Sequence, residues 1–284
     1  MKRKITAGQI VIYAVCIFWA LTTVYPIIWV VQNSFKAKDK ILEQSFSIPT
    51  GELFTLANYK KAFNNLNIFQ AYGNSIFISC VVAAAVILIA GFAAFALVRF
   101  SFFGKEALRS LVIAAMMFPA FATIIPVFRM ETGWGIANTS NWGLTMLSVI
   151  LPQTAGNLAF AVIVLMGYIK GLPIELEESA FLEGAGPHTI FFKIVMPLSK
   201  PSFVTVAIFS FLWSYNDLFT QMFFLRRPEM RAITRLLNEL TSKEGTNYGL
   251  MAAAVTLVII PVIIVYIFLQ KYIIKGMTAG AVKG

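Results

Sequence analysis

Carboxylates are scarce in this chain and unevenly placed. It has 13 Asp and Glu among 284 residues, and Glu175, Glu177, Glu178 and Glu183 fall within one stretch of nine positions. Grouped acids of this kind can work as the acid and base of an enzyme or as a docking surface for another protein. Asp217, in FLWSYNDLFTQ, is the one acid inside an apolar run, a placement that costs free energy and marks a functional candidate. At 1.5 Å per residue it lies about 23 Å along a span starting at Ser202, so a capping or solvated role near the outer interface competes with a pathway role. His188 is the only histidine; no metal-ligand cluster can be built on it, and beside Pro187 it reads as structural. A phosphate-binding Gly-x-x-x-x-Gly-Lys-Ser/Thr loop is absent, since Gly104-Lys105 is followed by Glu106 and lacks the earlier glycine. Cys16 and Cys80 match no pairing motif and read as packing residues.

These residues sit in a chain built for lipid. It is 58% hydrophobic and 13% charged, with a mean hydropathy of +0.77, far from the balance of a soluble globular domain. A helix crossing about 30 Å of hydrocarbon needs about 20 mostly apolar residues. Six stretches qualify, at about 10–31, 76–98, 111–128, 144–169, 202–224 and 251–269, predicting an all-α integral membrane protein with six transmembrane helices. The first follows Lys2, Arg3 and Lys4 but lacks a small-residue cleavage site, so it reads as a retained span. Six spans put both termini on one side, and the basic start with the connector RFSFFGKEALR makes that side cytoplasmic. The net charge of +10 lies mostly at span ends, where bases anchor to headgroups; nucleic acid is not expected.

The spans are interrupted. Pro119 and Pro126 fall in the third, Pro152, Gln153, Thr154, Gly156 and Asn157 in the fourth, and Pro261 in the sixth. Such breaks are tolerated in a membrane where protein or a water-filled cavity satisfies the freed carbonyls. Asn157, Trp213, Asn216, Asp217 and Gln221 are therefore the candidates for lining a substrate pathway. Outside, RAITRLLNELTSK has Ile233, Leu236, Leu237 and Leu240 on one helical face, a short amphipathic helix that either lies on the membrane or meets an extracellular partner. Residues 32–71 show no clear period.

The acidic cluster belongs to the longest inner connector, 170–201. Pro173 occupies a first helical position, Glu175, Glu177 and Glu178 follow where negative charge is favoured, and Gly184, Gly186 and Pro187 stop the helix. A second run, Thr189 to Met196, ends before Pro197. The connector thus reads as helix, glycine elbow, helix, and Ala180, Phe181, Leu182, Phe191 and Phe192 need cover.

Glu178, Ser179 and Ala180, then Gly184, Ile194 and Pro197 at their spacing, resemble the EAA signature of the membrane subunits of bacterial ABC importers, with Ser179 in place of the middle alanine. GIANT at 135–139, WSYND at 213–217 and LQKYIIKGMTAGAVKG at the C-terminus resemble the smaller permease subunit of maltose-type and multiple-sugar importers. The resemblance implies the type I transmembrane domain of an ABC importer and a permease subunit of an ATP-driven, binding-protein-dependent importer of a sugar or oligosaccharide. It implies a division into a cytoplasmic N-terminus at 1–9, a permease domain at 10–275 with its coupling loop at 170–201, and a cytoplasmic tail at 276–284. In such a family Glu178, Ser179, Ala180, Gly184, Ala185, Gly186 and Pro197 would form the contact with a cytoplasmic ATPase. Gly276, Gly280 and Gly284 would form a second contact from the tail. The expected partners are a second homologous permease subunit, two ATP-binding subunits and an extracellular or periplasmic solute-binding protein. This chain would bind no cofactor, ATP and Mg belonging to the ATPases, and would reside in the bacterial cell membrane. An importer of a non-sugar solute, a secondary transporter and a membrane-embedded transferase are the alternatives.

Overall fold

The computed structural model describes residues 6–65, 67–243 and 247–281. Among them the chain is helical, in the order α1 (Ala7–Ser34), α2 (Lys38–Glu43), α3 (Ala57–Asn65), α4 (Ile68–Arg99), α5 (Lys105–Ala115), α6 (Ala120–Gly133), α7 (Trp142–Ile169), α8 (Glu175–Leu182), α9 (Pro187–Leu198), α10 (Lys200–Asn216), α11 (Leu218–Phe224), α12 (Ile233–Lys243) and α13 (Tyr248–Ala281). Each predicted span coincides with helix, but two are broken. Phe118 precedes Pro119, which disfavours helical backbone at the preceding residue, and the third span divides there into α5 and α6, with Pro119 capping α6. The fifth divides at Asp217, whose ψ of 86° leaves the helical region. Among the described residues four helices are individually long and apolar enough to cross a membrane, and α9 with α10, bent by 84°, forms a fifth candidate.

The described residues form two compact units, Met1–Ile68 with Leu237–Pro261 and Phe69–Leu236 with Val262–Gly284. In the first, the side chains of α1 from Ile10 to Ile28 are exposed, an apolar surface matched to hydrocarbon. The stretch without sequence period folds around Lys36. That side chain is fully buried, and its Nζ donates to Asn33 Oδ1 at 3.0 Å, Gln44 O at 2.8 Å and Ser45 O at 3.2 Å. Unlike the headgroup anchors expected of basic residues, Lys36 ties a loop to the end of α1, and burial holds its pKa below the ordinary lysine value. Cys16 and Cys80 are exposed, so they are surface residues of their helices and not the packing residues their composition suggested.

The second unit is built on α4. Ile78, Val82, Val86, Ala90 and Ala94, spaced by four, form its buried face, against Ala161, Leu165 and Ile169 of α7 and Phe191, Val195, Phe203 and Val206 from α9 and α10. Phe92 stacks on Phe191 with ring centroids 4.3 Å apart, and the His188 ring meets Phe92 edge-on at 5.8 Å, the structural role its position suggested. The amphipathic face of α12 turns inward at its start: Ile233 and Leu236 are buried, and the Ile233 N–H donates to Ser75 Oγ at 2.8 Å.

Close packing at Gly91 is checkable. A Cβ there would lie 2.8 Å from Phe203 Cε1 and 3.0 Å from Phe191 Cζ, both on buried rings, whereas one at Gly73 on the same helix would meet nothing within 4 Å. Gly91→Ala is expected to destabilise by about 1–3 kcal/mol through overpacking. Gly73→Ala should be neutral or stabilise by up to about 1 kcal/mol through helix propensity. In detergent, the thermal unfolding midpoint should fall for Gly91→Ala and hold or rise for Gly73→Ala.

Candidate functional site

The acidic connector is held from below by one arginine. Arg99, the last residue of α4, places its Nη2 2.7 Å from Glu177 Oε1 and donates from Nε to the same oxygen at 2.8 Å. Nη2 also donates to Ile169 O and Leu172 O, each at 3.1 Å, carbonyls at and just beyond the end of α7, of which Ile169 O also accepts the Leu172 N–H at 3.1 Å. Both side chains are about nine-tenths buried. A single guanidinium therefore joins the ends of α4 and α7 to the first turn of α8. It pairs with a carboxylate and caps a helix C-terminus at once.

The far end of α8 is closed by backbone geometry. Gly184 has φ 88°, the left-handed conformation that glycine adopts without Cβ strain. Its N–H reaches Phe181 O at 3.0 Å, and the Ala185 N–H reaches Ala180 O at 2.9 Å, the pair of bonds that defines a Schellman ending. α9 then starts with Pro187 at its first turn and contains one wide π turn at Phe191–Val195. This run begins earlier and continues through Pro197, further than the sequence punctuation suggested. Glu178, Ser179, Gly184, Gly186 and Pro197 are exposed, while Ala180 and Ala185 are half-buried. Phe191 is fully buried, yet Phe181 is 66% exposed and Leu182 87% exposed. A groove of about 450 Å³ runs beside them, between Phe95, Phe100, Glu178, Phe181, Pro187 and Ile190.

A second concavity, of about 850 Å³, lies between α5 and α6 on one side and α7, α10 and α11 on the other. Its wall is mostly apolar, with one ordered polar strip. Asn157 Nδ2 donates to Gln153 O at 2.7 Å, Ser214 Oγ donates to Gln153 Oε1 at 2.6 Å, and Gln153 Nε2 donates to Asp217 Oδ2 at 3.0 Å. Asp217 Oδ1 accepts the Thr220 N–H at 3.0 Å and so caps α11. Asp217 thus caps α11, one of the roles weighed from sequence, and also stands in the cavity wall.

Of the five pathway candidates, Asn157, Trp213 and Asp217 line this cavity. Gln221 is fully buried behind it, its Nε2 donating to Ser214 O at 3.0 Å and its Oε1 accepting from the Thr234 hydroxyl. Asn216 is exposed and donates to Leu212 O within its own helix. Two wall residues were not among the pathway candidates: Gln153, the hub of the strip, noted only as one of the interruptions of the fourth span, and Glu131, which lies beyond the apolar run of the third span. Glu177 was one of four similar acids until Arg99 singled it out. In the tail, Gly276 and Gly280 fall in the backbone of α13, and Gly284 lies outside the described residues.

Residues 86–279 match the family of binding-protein-dependent transport system inner membrane components. The galactooligosaccharides transport system permease protein of Bacillus subtilis is 33% identical over 276 residues, covering 96% of this chain and 94% of the relative. A probable ABC transporter permease protein of the same organism, YurM, is 29% identical over 283 residues, covering 100% and 91%. The crystal structure of a bacterial ABC transporter that imports the acidic polysaccharide alginate shares the fold, with a TM-score of 0.77 at 22% identity over 96% of this chain and 98% of that one. With the helix order, the anchored connector and this match in view, the chain belongs to the family of inner membrane permease components of binding-protein-dependent ABC transport systems.

Proposed function

We propose that this chain is one of two homologous permease subunits of an ATP-driven importer of a sugar or oligosaccharide. The observation that carries the reading is the 170–201 connector, a rigid two-helix element clipped by Arg99 to α4 and α7 with its apolar tip exposed. A surface loop with no partner has no reason to expose Phe181 and Leu182 beside an acidic turn. In this reading Glu178, Ser179, Ala180, Gly184, Ala185, Gly186 and Pro197 form the face that docks on a cytoplasmic ATPase. The tail with Gly276, Gly280 and Gly284 gives a second contact between two such subunits. ATP and Mg act in those partners, and a solute-binding protein delivers the sugar from the other side of the membrane. Closure of the ATPase pair displaces the clipped connector, and the helices bearing it move the cavity walls between outward and inward openings. The sugar class is supported by the relative that carries galactooligosaccharides.

Co-expression of this chain with its neighbouring permease and ATPase should yield a complex whose ATP hydrolysis rises when the loaded binding protein is added. Gly184→Trp is the sharper check. A Cβ at Gly184 meets nothing within 4 Å in this chain, so the intrinsic cost is the left-handed backbone, about 1–2 kcal/mol. Loss of ATPase co-purification from a folded Gly184→Trp subunit would locate the partner at that turn, and normal co-purification would refute docking there.

The clip itself is tested by comparing single and double variants. Arg99→Met leaves the Glu177 carboxylate buried and unpaired, at an expected cost of about 3–5 kcal/mol. Arg99→Met with Glu177→Leu should recover most of the unfolding midpoint while stimulated ATP hydrolysis and uptake stay uncoupled. Recovery of coupling along with stability would reduce the pair to packing.

A further inference from the structure

Glu131 is the residue of this chain that nothing above explains. It sits in the last turns of α6, is 2% exposed, and lines the 850 Å³ cavity. Its Oε2 has no hydrogen-bond partner, and among the described residues no base pairs with its carboxyl group. A buried carboxylate left in this condition is expensive, and it persists where something else completes its bonds. Across the same cavity Asn157, 7% exposed, has its Nδ2 committed to Gln153 O while its Oδ1 stands unpartnered. The two unpartnered buried polar atoms of the cavity wall are thus both acceptors, and Asp217 adds a second carboxylate. Trp213, half-exposed and packed against Phe160 and Phe209, adds an aromatic ring to the lining of the same space.

From this arrangement we infer that Glu131, with Asn157, is a solute-contacting site that accepts hydroxyl hydrogens from a neutral, polyhydroxylated solute and turns away anionic ones. The inference rests on the reading of the cavity as the translocation pathway. A neutral saccharide supplies O–H donors for Glu131 Oε2 and Asn157 Oδ1 and an apolar ring face for Trp213. A uronic acid would bring its own carboxylate against the carboxyl groups of Glu131 and Asp217, where the wall already presents acceptors and, among the described residues, no base. Glu131 is accordingly a selectivity residue as well as a hydrogen-bond acceptor.

The test reads the cavity directly in the assembled importer, reconstituted in nanodiscs with Cys16 and Cys80 replaced by serine. Gly156 lines the cavity and a Cβ there meets nothing within 4 Å, so Gly156→Cys places a thiol in the open space. Its alkylation by a cationic thiosulfonate is followed in the presence of galactotriose, maltotriose or trigalacturonate. The two neutral trisaccharides are expected to protect the thiol and trigalacturonate is not. Glu131→Leu in this background should raise the galactotriose concentration needed for half-protection by about tenfold, the usual penalty for losing a charged hydrogen-bond partner. Glu131→Gln should weaken galactotriose less and admit trigalacturonate. A thiol that does not react, or reacts with no protection by any of the three sugars, overturns the pathway reading itself. Protection that is unchanged by Glu131→Leu leaves the pathway standing and overturns the assignment of Glu131. Protection by trigalacturonate as strong as by galactotriose in the Glu131 protein overturns the charge selection.

Discussion

In hydrocarbon there is no water to complete a broken backbone hydrogen bond, so every helix end inside a membrane protein must find its partners in the protein or in a wet cavity. The interruptions in this chain follow that constraint. α10 ends at Asn216, and the Asp217 carboxylate both caps the next helix and receives the amide of Gln153. α7 ends at Ile169, and the guanidinium of Arg99 donates to the Ile169 carbonyl and to that of Leu172 just beyond the helix. α8 ends at Leu182 in a turn closed by Gly184 and Ala185 N–H groups. Asp217, Arg99 and Gly184 each stand where a helix stops, and those stops border the cavity and the connector.

Three buried ionisable sites show three solutions to the same electrostatic problem. Lys36 is surrounded by one side-chain and two backbone oxygens, so its charge is stabilised locally and does no more than fasten a loop. Arg99 and Glu177 neutralise each other and share their remaining capacity with a helix end, the geometry in which a buried pair recovers its desolvation cost. Glu131 Oε2 has no hydrogen-bond partner among the described residues. The first two are finished structures, while the third is complete only in the company of something that passes through or docks against the cavity.

Much of this architecture was legible in the sequence because lipid makes simple demands. Runs of apolar residues mark the spans, and Gly184 with Pro187 marks the elbow, since one needs a left-handed backbone and the other begins a helix. The breaks were less legible. Proline at 126, 152 and 261 remains inside helices, whereas Pro119 stands at a break and caps the helix that follows, and composition does not separate these outcomes because the neighbouring helices decide whether the freed carbonyls are satisfied. Glu131 escaped for a related reason: α6 continues to Gly133, past the apolar stretch that ended at Phe128, so an acid assigned to an outer connector stands in a cavity wall. Glu177 could be told from Glu175, Glu178 and Glu183 only by knowing which way α8 rolls, and that is set by Arg99, 78 positions away in the chain.

The connector and the cavity are mechanically joined by the same two helices. α7 carries Arg99's carbonyl partner Ile169 at one end and Asn157 and Gln153 in the cavity wall, and the 12 residues from Asn157 to Ile169 span about 18 Å of continuous helix. α10 begins beside the connector, where Phe203 packs against Gly91 of α4, and runs to Ser214 and Asp217 in the same wall. Helices packed at this density move as bodies and not as elastic threads. A displacement of α8 and α9 is therefore delivered to the polar strip through Gln153, the residue that bonds α7 to both Ser214 and Asp217. If α7 and α10 shift together the strip stays intact and the cavity changes shape as a whole; if they shift apart, Gln153 must exchange its partners, releasing one donor, the Ser214 hydroxyl, and one acceptor, Asp217 Oδ2, into the cavity.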